Sequence, residues 1–445
     1  MKPLYQVVIA VVITALIVAS LTYLAIGGAP PATITKTVTA TAPPSGEEYT
    51  VTKTEYVGEI TKTVTTTVSV GAPRKIKAAW IYVGPIGDYG WTFAHDRGRR
   101  IVEDMFPWLE TLYVEKVAEG QEYDIIKRLI EEQGVDVVFT TSFGFMNGTL
   151  RAAKEYPDHI FFHCSGYLRW KNMGTYFADL YQVYYLNGLM AGALTKSNKV
   201  GYVAAHPIPE VIRHIDAFAL GVKEVNPDAK VYVVWIHAWY APDKARQAAE
   251  ALIAQGIDVI AFTEDTPTVI EVAEEYYKRG HPVYSFSHYS PMLDRGPDVV
   301  VSGQLVHWEV IYADILAKIY SGVYTNTNLE NVDYWWLLNR DAVELGADYG
   351  VPINPKFVPI LKDIKVKEKI TGEEISVYDL VMLRLKQMKE ENPTFDPFCA
   401  IKEPIMDQQG NVRVPVGLCL GHDELWSIMW FVDNVVGEIP AGAGE

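Results

Sequence analysis

The loop after the first predicted strand combines glycine with aromatic and acidic side chains. It reads Gly-Pro-Ile-Gly-Asp-Tyr-Gly-Trp over residues 84–91 and contains Gly87, Asp88, Tyr89 and Trp91. Glycine allows a backbone to approach a ligand closely, and the faces of Tyr89 and Trp91 can stack on a flat ligand. A phosphate-binding loop is the competing interpretation, but the spacing fits neither glycine-rich phosphate motif and no lysine follows. The structural alternative for Trp91 is packing into a core.

Aromatic and polar side chains recur where other predicted strands end. They are Phe143, Tyr167 and Asp179 in the first half of the chain, and Trp239, Asp265 and His288 in the second half. Stacking of a base on an aromatic ring contributes about 1–3 kcal/mol. A carboxylate such as that of Asp265 can accept hydrogen bonds from an amine, a ring N–H or sugar hydroxyls. The pattern predicts a site for a small planar solute.

Asp265 and the histidines also have purely structural interpretations. Asp265-Thr266-Pro267 has the pattern of a helix start, in which Thr266 is the cap and Pro267 lies in the first turn. A histidine such as His288 is more often a hydrogen-bonded structural residue than a ligand contact.

The sequence indicates a binding protein and not an enzyme. It contains no H-E-x-x-H, G-x-S-x-G or C-x-x-C motif, and its ten histidines are scattered, so that we predict no catalytic residues, no metal site and no cofactor. The net charge of −16 excludes nucleic acid as the expected partner, because binding to phosphates requires a basic surface.

The elements that must position these side chains follow a strand–helix pattern that runs twice. The predicted strands span residues 77–84, 112–117, 136–141 and 159–165 in the first series, and 200–205, 231–237, 258–263, 283–287 and 299–305 in the second. Such alternation predicts an α/β fold of two lobes, each a doubly wound parallel sheet. We expect lobe 1 at 75–197, lobe 2 at 198–304, and a return to lobe 1 with a C-terminal extension at 305–445. Ligands of such sheets lie outside the carboxyl ends of the strands.

A short internal repeat supports two similar lobes. Gln-Gly-Val-Asp-Val-Val at residues 133–138 recurs as Gln-Gly-Ile-Asp-Val-Ile at residues 255–260. Both copies leave a helix through glycine and enter a buried strand. Chance or common turn chemistry is the alternative.

The N-terminal segment predicts attachment to the cell membrane on its extracellular face. Residues 7–26 are apolar and uncharged, long enough to cross a bilayer as a helix, and only Lys2 precedes them as a charged side chain. A cleaved signal peptide is the alternative for residues 1–29. The Thr-rich residues 30–74 then form an extended stalk.

The three cysteines do not form a disulfide framework. Cys399 and Cys419 can pair in an oxidising exterior, whereas Cys164 lies in an apolar run and is expected to be a buried thiol. Residues 362–390 are predicted to be largely helical and charged, as an addition to the surface of one lobe.

Three segments carry a family resemblance. They are residues 81–92 (Ile-Tyr-Val-Gly-Pro-Ile-Gly-Asp-Tyr-Gly-Trp-Thr), 139–145 (Phe-Thr-Thr-Ser-Phe-Gly-Phe) and 235–242 (Trp-Ile-His-Ala-Trp-Tyr-Ala-Pro). With them the chain resembles, over residues 75–439, the basic membrane protein family of solute-binding proteins, which includes purine nucleoside receptors. The resemblance implies a periplasmic-binding fold with three crossings between lobes, which delivers its ligand to an ABC permease. It also implies that Trp91 stacks on a purine, that Trp239 is the opposing wall and that Asp265 is a polar anchor.

One departure from the family pattern concerns the ligand. Nucleoside-binding members tend to carry Ser-Phe-Asn where this chain has Gly90-Trp91-Thr92, which leaves the partner of the ribose open and makes a free base such as adenine at least as favoured as a nucleoside. The alternatives are the ectodomain of a ligand-sensing receptor, a binding protein for another solute such as a sugar, and a nucleoside hydrolase. The six residues before the apolar segment leave no room for a cytoplasmic output domain, which favours transport.

Overall fold

The computed structural model describes the backbone of residues 48–57 and 60–69, and residues 75–441 with their side chains. Two compact units, Met1–Pro73 and Arg74–Glu445, are present. In the first unit, strand β1 (Glu48–Val57) pairs antiparallel with strand β2 (Ile60–Ser69), so that the expected extended stalk includes a two-stranded ladder. The predicted membrane segment, residues 7–26, lies outside the described residues. Among the described helices none is both long enough and apolar enough to cross a bilayer.

The second unit begins with the strand–helix series predicted for the first lobe. Its elements are β3 (Ile76–Ile81), α1 (Trp91–Met105), β4 (Leu109–Val114), α2 (Glu122–Gln133), β5 (Val137–Thr140), α3 (Met146–Glu155), β6 (Ile160–Cys164), β7 (Met173–Ala178) and α4 (Tyr181–Leu194). Strand β7 was not predicted. It consists of buried residues of mixed type, Met-Gly-Thr-Tyr-Phe-Ala, of which only Thr175 is β-branched.

The second series follows at once. Its elements are β8 (Lys199–Ala204), α5 (Pro209–Val225), β9 (Lys230–Trp235), α6 (Pro242–Ala254), β10 (Val259–Phe262), α7 (Thr268–Lys278), β11 (Tyr284–Tyr289), β12 (Val300–Val306) and α8 (Trp308–Tyr320).

The remaining elements are short, apart from one helix. They are β13 (Asp333–Trp336), β14 (Val343–Leu345), α9 (Val358–Asp363), β15 (Lys365–Lys367), β16 (Glu374–Ser376), α10 (Val377–Lys389), β17 (Ile405–Met406), β18 (Val412–Val414), α11 (His422–Trp426) and β19 (Val435–Val436). The segment predicted as largely helical over 362–390 is therefore a β-hairpin followed by a helix. The Ser376 hydroxyl starts that helix by accepting a hydrogen bond from the Asp379 N–H at 3.0 Å.

Two sheets form the cores of two lobes. The first has the strand order β13-β7-β6-β5-β3-β4 and is parallel throughout, and the second has the order β14-β12-β11-β10-β8-β9-β19 with only β14 antiparallel. The central strands are buried on both faces because helices cover both sides of each sheet, whereas β4 and β9 are partly exposed. We call the halves built on these sheets lobe 1 and lobe 2.

The chain crosses between the sheets three times: after β7, after β12 and after β13. This confirms the predicted fold class of two doubly wound lobes. The C-terminal part was expected to return to lobe 1, and β13 does join that sheet, whereas β14 and β19 extend the sheet of lobe 2.

Helix α4 is buried on nearly every side and belongs with lobe 2. It packs along α5, and a Cβ at Gly188 or at Gly221 would collide with a backbone carbonyl of the facing helix. The two glycines permit this close approach. The helix expected to close lobe 1 therefore packs on the core of lobe 2.

The cysteines occupy the states expected for an oxidising exterior. Cys399 and Cys419 form a disulfide bond within the C-terminal region, and Cys164, at the end of β6, is a buried thiol.

Candidate functional site

Trp91 is the first residue of α1 and is held at the carboxyl ends of the strands in the sheet of lobe 1. Its indole N–H donates to the Thr141 carbonyl at 2.5 Å, and its ring meets Tyr289 of lobe 2 edge-on at a centroid distance of 5.1 Å. The side chain is 6 % exposed and belongs to the large hydrophobic core. Trp91 therefore packs in the core, as the structural alternative predicted, and also contacts lobe 2 through Tyr289.

Asp88 fixes the loop that carries Trp91. Its carboxylate accepts hydrogen bonds from the N–H groups of Gly90 (2.8 Å), Thr92 (3.0 Å) and Phe93 (2.9 Å), the orphan donors at the start of α1. Burial raises the pKa of Asp88 to about 6, although these hydrogen bonds favour the carboxylate. Asp88 thus positions the loop, and its side chain is not part of the cavity wall described next.

A narrow cavity lies between the two lobes at the carboxyl ends of both sheets, and its volume of about 10 Å³ has room for about one water molecule in this conformation. Lobe 1 contributes Val83, Trp91, Ser142, Phe143 and Ser165 to its wall, and lobe 2 contributes Glu210, Trp239, Asp265 and Tyr289. The structure thereby brings together Trp91, Phe143, Trp239 and Asp265, four of the residues singled out from the sequence. The wall is aromatic with a few carboxyl and hydroxyl groups, the composition typical of a small-molecule site.

The lobes touch at this cavity, so that the conformation is a closed one. A Cβ at Gly90 would lie 2.8 Å from the Asp265 Cα, which means that only glycine fits there. The Ser290 hydroxyl of lobe 2 donates to the Tyr89 carbonyl of lobe 1. A ligand can enter only when the lobes separate, which is the hinge motion of binding proteins.

Asp265 presents a carboxylate oxygen to the cavity. The side chain is buried, and among the residues that the structure describes its Oδ1 has no hydrogen-bond partner. Burial raises the pKa of Asp265 well above its ordinary value, and the neighbouring charges of Asp88 and Glu264 raise it further. Such a group is satisfied by a hydrogen bond from a ligand.

Glu210 is a cavity residue that sequence reasoning missed. It lies in the first turn of α5, is 5 % exposed, and accepts a hydrogen bond from the Ser165 hydroxyl of lobe 1. Burial raises its pKa to about 7. The available signal was its position in the first turn of the helix after β8, at the same sheet edge as the other candidates.

Backbone strain concentrates around the cavity. Four residues other than glycine have left-handed φ angles here: Tyr89 (65°), Ser165 (65°), His237 (51°) and Tyr289 (63°). Such conformations cost of order 1–3 kcal/mol each and cluster where a site must be held in shape. Ser165 and Tyr289 themselves line the cavity.

Several residues predicted for the site lie elsewhere. Gly87 is in the loop with open space around its Cα, and Tyr89 stacks on Phe93 and under the Arg295 guanidinium of lobe 2 at 4.2 Å. Tyr167 is 58 % exposed and does not line the cavity. Tyr89 therefore joins the closed lobes beside the cavity.

Asp179 and His288 are engaged by protein groups. The Asp179 carboxylate lies 2.7 Å from the Arg213 guanidinium, 3.0 Å from the His214 ring and 2.8 Å from the Trp335 indole N–H. Burial opposes its ionisation, but these partners lower the pKa of Asp179 to about 2. The His288 ring is hydrogen-bonded to Tyr184 at 2.9 Å and to Gln304 at 3.2 Å. Both residues support the lobes from behind the cavity wall.

A second, wider space adjoins the cavity. It has a volume of about 360 Å³ and shares Val83 and Trp239 with the inner cavity. Its other wall residues are Gly84, Pro85, Lys116, Ala118 and Tyr240. Trp239 thus separates an inner chamber from an outer one. Within residues 75–441 no three His, Cys, Asp or Glu side chains are arranged to hold a metal ion.

Comparison with protein families identifies the chain. The model of the Bmp family, described as ABC transporter substrate-binding protein, PnrA-like, matches residues 75–381. The chain belongs to this family. The resemblance read from the sequence is thereby confirmed. A Bmp protein has a binding role, takes a small-molecule ligand, works with an ABC permease, and acts in the extracellular or periplasmic space.

Two curated relatives are similar over most of their length. A purine-binding protein of Brucella abortus is 34 % identical over 297 residues, which cover 66 % of this chain and 82 % of the relative. A putative ABC transporter glucose-binding protein of Haloferax volcanii is 35 % identical over 309 residues, 68 % of this chain and 74 % of the relative.

Solved structures share the fold of this Bmp protein. A solute-binding protein of an Aeropyrum pernix ABC transporter aligns with a TM-score of 0.56 at 17 % identity over 72 % of this chain and 88 % of its own. One from Conexibacter woesei aligns with a TM-score of 0.52 at 18 % identity over 70 % and 95 %. The fold is that of the type I periplasmic-binding proteins.

Proposed function

We propose that this Bmp-family protein captures a purine base or nucleoside in the inner cavity and delivers it to an ABC importer, with the ring of the purine between Trp91 and Trp239. One observation carries the proposal: an indole from each lobe lines the same cavity as a buried carboxylate oxygen of Asp265 without a partner in the described chain. A planar heterocycle with N–H groups satisfies both features at once.

The Brucella relative, which is named as a purine-binding protein, supports the same class of ligand. The lining also explains why closure would depend on the ligand. A ring that contacts Trp91 of lobe 1 and Trp239 of lobe 2 stabilises only the conformation in which the lobes are together.

Calorimetric titration of the full-length protein with bases, nucleosides, sugars and amino acids tests the proposal. We expect binding of purines, and we expect Trp239→Ala to weaken it about tenfold or more, because stacking on one aromatic ring contributes about 1–3 kcal/mol. Trp170→Ala is the matched control, since Trp170 is 41 % exposed and is not part of either chamber wall. Heat from sugars alone, or purine binding that survives Trp239→Ala unchanged, contradicts the proposal.

Glucose is the second candidate ligand because the Haloferax relative is named as a putative glucose-binding protein. Sugars also pack their apolar faces on aromatic rings, so that the inner cavity alone does not separate the two classes. The same titration includes glucose for this reason.

We also propose that residues 7–26 attach the protein to the membrane and that residues 30–74 hold the lobes away from it. The support is the apolar, uncharged sequence of the first segment and the Thr-rich sequence of the second. Fractionation of cells that express the full chain is expected to recover it with membranes. Recovery in the soluble fraction after extraction without detergent argues against the anchor.

A further inference from the structure

Glu210 has the geometry of a ligand contact. It is part of the cavity wall, it comes from lobe 2, and its Oε2 is held by the Ser165 hydroxyl of lobe 1. Within residues 75–441 the other oxygen, Oε1, has no hydrogen-bond partner. A carboxyl group fixed through one oxygen presents the second one in a defined direction.

Positive charge is not available from the cavity wall. None of its nine residues is Lys or Arg, and the nearby Arg213 guanidinium is already paired with Asp179 at 2.7 Å. Asp265 adds a second carboxyl group whose Oδ1 is buried without a partner in the described part of the chain. The groups that can satisfy these oxygens are therefore hydrogen-bond donors of the ligand.

We propose that Glu210 is a specificity-determining ligand contact. Its Oε1 accepts a hydrogen bond from one N–H group of the ligand, and Asp265 accepts one from another. The site thereby selects planar heterocycles with at least two N–H donors, such as an aminopurine base, over anionic or donor-poor ligands. The choice of a purine as the heterocycle rests on the proposed function. The contact between Glu210 and a ligand donor does not depend on that function.

The ionisation of Glu210 agrees with this role. Burial raises the pKa of Glu210 to about 7. The charge of Asp179 also raises this pKa, whereas the hydrogen bond with Ser165 and the charge of Arg213 lower it. A donor from the ligand favours the carboxylate and lowers that pKa again. The titratable side chains near the Glu210 carboxyl group also include those of Asp265, Tyr289 and Cys164.

The test compares Glu210→Gln with the wild-type full-length protein by calorimetry. The ligands are adenine, purine without the amine, 9-methyladenine without the ring N–H, and glucose. In the variant, the Ser165 hydroxyl can hold the amide oxygen, which leaves the amide NH₂ facing the donor of the ligand. We expect adenine to bind at least tenfold more weakly, consistent with about 1.5–3 kcal/mol for a hydrogen bond to a charged group. The preference for adenine over purine, or over 9-methyladenine, should shrink about tenfold.

Glu274→Gln is the matched control, because Glu274 is also 5 % exposed, lies in lobe 2 and is not part of the cavity wall. It should leave affinity and both preferences unchanged. Wild-type affinities in Glu210→Gln overturn the inference, and so does an equal loss for every ligand, which would assign Glu210 to lobe closure alone.

The outcomes also separate the inference from the proposed function. If the wild type binds glucose and no purine, the proposed function fails, whereas the contact stands if Glu210→Gln weakens glucose, whose hydroxyls are donors. A wild-type protein that binds none of the four ligands overturns the inference, whereas binding of a nucleoside would leave the proposed function standing.

Discussion

Three carboxyl groups in or beside the cleft have pKa values raised by burial: Asp88 to about 6, Glu210 to about 7, and Asp265 well above its ordinary value. When the lobes separate, water reaches these groups and each pKa falls towards the ordinary value near 4. Closure of the empty protein therefore takes up protons, and it is favoured as the pH falls through 7 towards 5 and disfavoured above 7.

From Glu210 alone, we expect the equilibrium constant for closure to be about tenfold larger at pH 6 than at pH 8. Small-angle scattering of the ligand-free protein, or energy transfer between dyes on the two lobes, measures this. In Glu210→Gln this tenfold contribution should disappear. A closed fraction that rises with pH has the wrong sign for this explanation.

At the residue scale, the sequence located part of the site through one rule. Trp91, Phe143, Trp239 and Asp265 each follow a strand of a parallel sheet closely, and the rule that ligands lie at such strand ends places them together. Asp179 and His288 satisfy the same rule but are occupied by Arg213 and Tyr184, partners distant in sequence. Spacing along the chain does not report such pairings. Glu210 was missed although it lies in the first turn of the helix that follows β8.

At the scale of elements, the contact between the Trp91 loop and the loop after β10 controls closure. We expect Gly90→Ala to hold the lobes apart, because its Cβ would lie 2.8 Å from the Asp265 Cα and the backbone there cannot yield as a flexible side chain would. Ligand affinity should fall at least tenfold, whereas the melting temperature should change little because each lobe keeps its own core. Calorimetry and thermal unfolding measure the two effects.

Gly87→Ala is the control for this experiment. Gly87 lies in the same loop, but a Cβ there has nothing within 4 Å. We expect wild-type affinity for it. Equal affinity losses in the two variants would point to the flexibility of the loop as the cause instead of contact between the lobes.

The central strands and helices could be predicted because their apolar periodicity is strong, and the boundaries agree within a few residues for β3, β5, β6 and most of lobe 2. Strand β7 and the hairpin of β15 and β16 could not. Strand β7 is defined by its pairing with β6 and β13, which overrides its weak local preference, and each strand of the β15–β16 hairpin is only three residues long. The placement of α4 on lobe 2 depends in the same way on its fit to α5.

At the scale of the whole molecule, a buried charge cluster attaches the C-terminal region to lobe 2. The Arg384 guanidinium of α10 pairs with Glu224 of α5 at 3.2 Å and with Glu368, and all three side chains are buried. Removing the cation leaves Glu368 with backbone N–H donors alone, while Glu224 keeps Lys369 and Tyr185 as partners. We expect Arg384→Met to lower the free energy of unfolding by about 3 kcal/mol, the lower end of the range for a broken buried ion pair.

Chemical denaturation measures this loss. Arg279→Met is the control, since Arg279 is largely exposed and its bridge to Glu275 is 3.7 Å long; exposed pairs of this kind contribute about 0–1 kcal/mol. A similar small effect in both variants contradicts a structural role for the cluster.

The short strand β19 has a consequence for any shortened form of the protein. It pairs with β9 at the border of the second sheet and is secured by the Trp235 indole N–H, which donates to the Glu438 carbonyl at 2.9 Å. The family match stops at residue 381, well before it. Truncation at that point would leave the hydrogen-bonding groups of β9 free to recruit a strand from another molecule, so that such a fragment should aggregate even though its ligand cavity is complete.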